Sequence, residues 1–168
     1  IQDGIKRMYI NQEDIFYYIT VQNENYVMPP MPEGVEEGVL NGMYRLRSLE
    51  GASKAKANLF GSGSIINESL KAQEMLAEDY GIAADVWSVT SYKQLRRNAM
   101  ETERWNLLNP SEPPRETFIS QSLKETEGVY VMTSDYVSTL PDSIARWVPG
   151  PVVSLGTDGF GRSDSRPA

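Results

Sequence analysis

The segment Gly156-Thr157-Asp158-Gly159-Phe160-Gly161-Arg162-Ser163-Asp164-Ser165-Arg166 carries the residue types best suited to holding a ligand or a partner. Its three glycines tolerate backbone angles closed to other residues, so the chain there can approach a ligand closely. Arg162 and Arg166 offer fixed charge in a planar fork that suits carboxylate or phosphate. The segment follows a strand-like run, Pro151 to Leu155, which places it at the carboxyl edge of a sheet, where α/β proteins bind ligands. Asp158, Gly159, Phe160, Gly161, Arg162, Ser163 and Arg166 are therefore the leading candidates for an active-site mouth or a partner surface. The plainer reading is an exposed loop leading to a helix capped by Ser165, with Pro167 at its first position.

A second glycine-rich turn, Gly61-Ser62-Gly63-Ser64, makes Ser62 and Ser64 weaker candidates. Such a turn between a strand and a helix can bring backbone N–H groups to a phosphate. It lacks both a third glycine at dinucleotide-fingerprint spacing and a Gly-Lys-Ser, and a tight turn with Ser64 as N-cap accounts for it equally well. Glu24, Asn25 and Tyr26 follow an apolar run, and Glu24 could serve as an acid or base. A solvated linker explains the same residues. Glu36-Glu37 and the pair Glu101 and Glu103 diverge on a helix and read as solvated faces. Trp87, Trp105 and Trp147 lie in separate elements and read as core or interface anchors.

The chain contains neither histidine nor cysteine. Disulfides, thiolate metal sites, a Ser-His-Asp triad and a zinc hydrolase centre are thereby closed. No catalytic, cofactor-binding or metal-ligating residue is assigned. A net charge of −7 and no basic patch with interleaved aromatics disfavour nucleic acid as a partner. No apolar run approaches the ~20 residues that span a bilayer, so no membrane role is expected. These properties fit a cytoplasmic protein.

The elements that must position these residues follow from periodicity. At 168 residues, 40% hydrophobic and 23% charged, the chain has a globular balance and enough length for one ordinary core. Ile1, Ile5, Met8 and Tyr9 share one helical face. Ile15 to Val21 (IFYYITV) is β-branched and aromatic, the composition of a buried strand. Pro29, Pro30 and Pro32 then forbid helix or central strand, so 23–33 reads as a linker and the best domain boundary. Val35, Val39, Met43 and Leu46 predict a helix, with Gly38 and Gly42 on its neighbouring face, where close packing or a ligand would explain them.

Beyond that, strands are predicted at Ala55 to Phe60, Asp85 to Thr90, Val129 to Thr133 and Pro151 to Leu155. Helices are predicted at Ile65 to Tyr80, stopped by Gly81, at Tyr92 to Leu108, briefly at Thr117 to Lys124, and at Asp135 to Trp147. Strands alternating with helices imply parallel pairing and right-handed crossovers. The fold class is α/β, a mostly parallel sheet flanked by helices.

IQDGIKRMY, EDIFYYITVQNENYVMPPMPEG, LFGSGS, SVTSY, ERWN and GTDGFGRSDSR resemble the homodimeric bacterial family of pyruvate dehydrogenase first components, over essentially the whole chain. The resemblance implies a transketolase-like architecture. Residues 1–33 would be the end of the middle, pyrimidine-binding domain plus linker, and 34–168 a transketolase C-terminal-like domain, incomplete at its C-terminus. It implies a parent that decarboxylates pyruvate with thiamine diphosphate and magnesium and reductively acetylates lipoyl groups. The implied partners are a second copy in a homodimer and the dihydrolipoyl acetyltransferase core with its lipoyl domain. The Gly-Asp-Gly…Asn motif that holds magnesium and diphosphate in that family is absent, as is the cofactor-activating glutamate. The fragment alone is therefore expected to bind no cofactor and to be inactive, contributing dimer packing and an active-site or partner surface. Two alternatives stand beside this one: an anion-binding regulatory module, and the equivalent domain of a transketolase or another 2-oxo acid dehydrogenase.

Overall fold

The computed structural model describes residues 1–21, 25–50 and 55–160. A five-stranded sheet lies at its centre, formed by β1 (Met43–Leu49), β2 (Lys56–Gly61), β3 (Ala83–Val89), β4 (Val129–Thr133) and β5 (Val152–Leu155). The strand order is β1-β3-β2-β4-β5, with β1 antiparallel to β3 and every other pairing parallel. The crossovers run through α3 (Ile65–Tyr80) between β2 and β3, and through α4 (Tyr92–Leu108) and α5 (Phe118–Ser122) between β3 and β4.

Strand alternation sorts the apolar residues onto two faces. Phe60, Trp87, Val89, Tyr130 and Met132 meet Leu95, Ile119, Leu123 and Ile144 on the α4–α5 side. Leu59, Ala84 and Val86 meet Ile66 of α3 on the other. Phe60 stacks on Trp87 at 6.0 Å between ring centroids and tilts against Tyr130 at 6.2 Å. Two buried polar groups sit inside this packing with their partners supplied. Asn58 accepts from Trp87 Nε1 at 3.1 Å and donates to the Glu127 carbonyl at 2.9 Å. Gln73 donates to the Ala84 carbonyl at 2.7 Å.

Three sequence expectations change. The helix expected from Val35 to Leu46 is two elements, α2 (Glu36–Asn41) and the edge strand β1. Gly42 separates them at φ 113°, where a side chain would also meet the Ser91 carbonyl oxygen at 2.6 Å. The four-residue apolar spacing therefore straddled a boundary. The strand expected at Ile15 to Val21 is extended chain outside the sheet, with Phe16, Tyr18 and Val21 exposed. The helix expected at Asp135 to Trp147 shrinks to α6 (Thr139–Asp142) and a 3₁₀ turn at Ala145–Trp147. Pro141 has no N–H and fits only a first turn, so a helix cannot run through it from Asp135. At the N-terminus, α1 (Gln2–Ile5) passes into a π-helical turn at Lys6–Ile10.

Candidate functional site

The carboxyl ends of β2, β3, β4 and β5 converge on one edge of the sheet, because all four run parallel. From β2 the chain winds to β3 on one side and later returns to β4 on the other, so the winding reverses beside β2. Folds of this kind form their binding crevice at such a reversal. Here a crevice of about 330 Å³ opens there, with Ser62 and Gly63 after β2, Thr90 and Ser91 after β3, and Asp135 and Tyr136 after β4. Lys93 and Asp135 bring one charge of each sign, and Thr20 of the N-terminal arm also reaches it.

Two helices begin at this crevice, and each has some of its first N–H groups paired locally. Ser91 caps α4 by accepting from Gln94 N at 3.1 Å. At α3 the N–H groups of Ile65 and Asn67 donate to the carbonyls of Ser62 and Ser64 at 3.1 and 3.2 Å. Ser64 occupies the N-cap position, but its hydroxyl makes no cap bond. The carbonyls of the Gly-Ser-Gly-Ser turn thus accept from the first turn of α3. Tyr92 lies behind the crevice with its hydroxyl buried and without a hydrogen-bond partner among the described residues, and burial raises its pKa.

The leading candidate loop leaves β5 at the same edge. Gly156 passes so close to Tyr136 and Ser138 that a side chain there would collide with the Ser138 amide. Thr157 N donates to the Tyr136 carbonyl at 2.8 Å. Asp158 then accepts from Ser138 N at 3.0 Å and from Ser138 Oγ at 2.8 Å. These two bonds hold its carboxyl below the usual carboxylate range. Both carboxylate oxygens are thus spent on Ser138 at the start of α6, and the loop is clasped to the domain. Past the clasp Gly159 turns at φ 109°, and Phe160 projects fully into solvent, at 102% relative exposure.

The expected residues are thus only partly brought together. Ser62 lines the crevice, whereas Ser64 does not. Asp158 faces Ser138, and Gly159 and Phe160 extend beyond it. Asn25 is exposed and Tyr26 half-buried, and neither lines the crevice. Gly161, Arg162, Ser163, Arg166 and Glu24 lie outside the described residues. Sequence reasoning missed Thr90, Ser91, Lys93, Asp135, Tyr136 and Ser138. The signal was present, since Ser91 and Asp135 each follow within two residues of a predicted strand end, where site residues collect.

These residues do not fit a thiamine diphosphate and magnesium cradle. Among the described residues no three Asp or Glu gather where they could hold a metal.

Comparison with known proteins places the geometry in context. Residues 42–168 match the model of the transketolase-like TK C-terminal domain. Residues 1–29 match that of the pyruvate dehydrogenase E1 component middle domain. The chain is similar to the pyruvate dehydrogenase E1 component of Cupriavidus necator, 45% identical over 99% of this chain and 19% of that protein. The Escherichia coli protein of the same name is 48% identical over 99% of this chain and 19% of its own length. That of Mycobacterium tuberculosis is 42% identical over 100% of this chain and 18% of its own length. The chain therefore spans about a fifth of the length of the curated relatives it matches.

Proposed function

Because the chain belongs to the family of transketolase-like C-terminal domains, we propose that it is the C-terminal region of a pyruvate dehydrogenase first component. The parent decarboxylates pyruvate on thiamine diphosphate, with magnesium, and passes the acetyl group to lipoyl groups of a dihydrolipoyl acetyltransferase core. It works as a homodimer in the cytoplasm. This region packs the dimer and walls the active site or partner surface, while the cofactor-binding groups belong to other parts of the parent. Residues 1–33 close the middle domain and its linker, and 34–168 form the C-terminal domain. The observation that carries the reading is similarity across the whole chain to relatives that all bear one name. The absence of a helix long and apolar enough to cross a membrane among the described residues is consistent with the proposed compartment.

Within this reading, Asp158 to Arg166 form the mouth or partner surface. Support comes from the clasp at Asp158, beyond which Gly159 turns, and from Phe160, an aromatic ring left wholly in solvent. Arg162 and Arg166 would then supply the charge for an acidic partner.

A chimera tests the proposal: this chain replaces the matching segment of the Escherichia coli relative. Pyruvate decarboxylation is followed with an artificial electron acceptor, and overall complex activity with the acetyltransferase core. The chimera is expected to keep both activities, and this chain alone to have neither. A folded chimera without decarboxylation sinks the reading. In the same chimera, Arg162→Ala with Arg166→Ala should lower overall activity. Wild-type rates in both assays would make the loop structural.

A further inference from the structure

Away from the loop after β5, a groove of about 1040 Å³ lies between α4 and the α6 region. It does not touch the sheet-edge crevice except through Lys93. We propose that this groove docks an acidic polypeptide segment with apolar anchors, supplied by another protein.

The first argument is the pattern on α4. Lys93, Arg96, Met100, Arg104 and Leu107 recur at three- and four-residue spacing, so they form one stripe along a single helix face. The adjoining face, with Tyr92, Leu95 and Ala99, is buried in the core. The stripe is left in solvent, with Met100 46% and Leu107 80% exposed. A solvated helix face has no need of two large apolar side chains flanked by cations.

The second argument is charge. The chain carries −7 overall, yet the groove gathers Lys93, Arg96, Arg97, Arg104 and Arg146 against Glu101, Glu103 and Asp142. Glu101 is already paired to Arg97 at 2.8 Å, and Glu103 to Arg146. Among the described residues Lys93, Arg96 and Arg104 form no ion pair, and Asp142 is the lining carboxylate left unpaired. The uncompensated charge of the groove is positive on an acidic molecule.

The third argument is that the far wall is already set. Trp147 Nε1 donates to Glu103 Oε1 at 2.7 Å, and the Arg146 guanidinium lies 4.4 Å from the Trp147 ring centroid. A wall fixed before binding loses less freedom when a partner arrives.

These features select among occupants. A nucleic acid presents charge at every step and no apolar side chain, so Met100, Leu107 and Trp147 would go unused. A flat bilayer does not enter a concave groove. A second copy of this chain brings seven further negative charges overall, repelling at long range. A peptide alternating acidic and apolar residues satisfies both the cations and the floor.

The test uses the full 168-residue chain and a fluorescein-labelled peptide alternating Glu with Leu and Phe, read by anisotropy. Binding is expected at low salt, weakening about tenfold or more at high salt as the charges are screened. Arg96→Ala with Arg104→Ala should weaken it about tenfold, and Met100→Ala with Leu107→Ala severalfold. Arg45→Ala on β1 should leave it unchanged. All these positions are exposed, and circular dichroism verifies that each variant folds. Arg96→Glu with Arg104→Glu should transfer the preference to a peptide with Lys in place of Glu. Equal binding of a Gln-for-Glu peptide overturns the proposal, as does tighter binding of a single-stranded DNA probe. So does self-association of the chain, in sedimentation, that the Arg96 and Arg104 substitutions abolish.

Discussion

Two stretches of this chain have nearly the same composition and opposite fates. Ile15 to Val21 (IFYYITV) and the central strand β4 (VYVMT) are both rich in β-branched and aromatic residues, and β4 lies beside β2 with its Phe60. Phe60 and Tyr130 are 0% and 1% exposed, whereas Phe16 and Tyr18 are 85% and 87% exposed. The first group has strands on both sides and helices on both faces. The second has no sheet to join. Strand propensity measures how well a side chain fits a pleated, half-buried surface, so it becomes structure only where neighbours supply that surface. The matching family model for 1–29 describes a different domain from the one matching 42–168, which is in keeping with neighbours of another sheet.

The sharpest test of this contrast is a matched pair of truncations. Phe60→Ala removes the ring between Trp87 and Tyr130 and should destabilise the chain by about 3–5 kcal/mol. Phe16→Ala should change stability by less than about 0.5 kcal/mol. Urea denaturation followed by tryptophan fluorescence measures both. Comparable losses at the two sites would mean that the arm packs as tightly as the sheet, and the contrast would collapse.

A smaller effect separates the two regions by their polar groups. Asn58→Ala leaves Trp87 Nε1 and the Glu127 carbonyl without their partner in a buried setting, at a cost of about 1–3 kcal/mol. In the arm, the Arg7–Glu13 pair at 2.7 Å is exposed on both sides. Glu13→Gln should therefore be almost silent in the same assay. A large loss from Glu13→Gln with none from Asn58→Ala would reverse the assignment of core and periphery.

The parallel part of the fold was legible because β2 and β3 are each followed by a turn and a helix of ordinary length. Ile65 to Tyr80 and its stop at Gly81 stand as expected, with Gly81 in the left-handed region. The edge strand β1 was not legible, since Val35, Val39, Met43 and Leu46 keep helical spacing across the end of α2. Only the backbone at Gly42 reveals the break. The site was less legible than the fold. Of two neighbouring candidates, Phe160 stands in solvent while Asp158 turns inward to Ser138. The charge stripe on α4 was hidden because Glu101 and Glu103 read as an ordinary solvated face, and nothing in the spacing shows that Arg146 and Trp147 fold back across them.

Removing residues 1–30 extends the comparison to the whole arm. Exposed apolar chain with unpaired backbone groups recruits other chains. The deletion should raise the concentration at which light scattering begins, with little change in the urea midpoint. Unchanged or lower solubility would argue against the boundary placed between 23 and 33.

The subtlest prediction compares how the two ends are tethered. The arm's exposed side-chain pairs, such as Tyr17 with Asp3, join residues within the arm itself. The far end is pinned by the Asp158 carboxylate on Ser138 N and Oγ. Those bonds favour the charged form, so the pKa of Asp158 is lower in the folded chain than in the unfolded one. A depressed folded pKa means that the stabilisation is fully present above the unfolded value and is lost as pH falls through the folded one. The clasp should hold at neutral pH and open only in acid, below the ordinary carboxylate range. The amide signal of Ser138 in nuclear magnetic resonance reports it directly, since protonation removes an acceptor from that N–H. Asp158→Asn should abolish the acid transition of that signal. Ser138→Ala, which removes one of the two donors but keeps the backbone N–H, should move the transition to higher pH without erasing it. If the Ser138 amide titrates identically in the native chain and in Asp158→Asn, the carboxylate is not what holds the loop, and the outward course of Phe160 needs another cause.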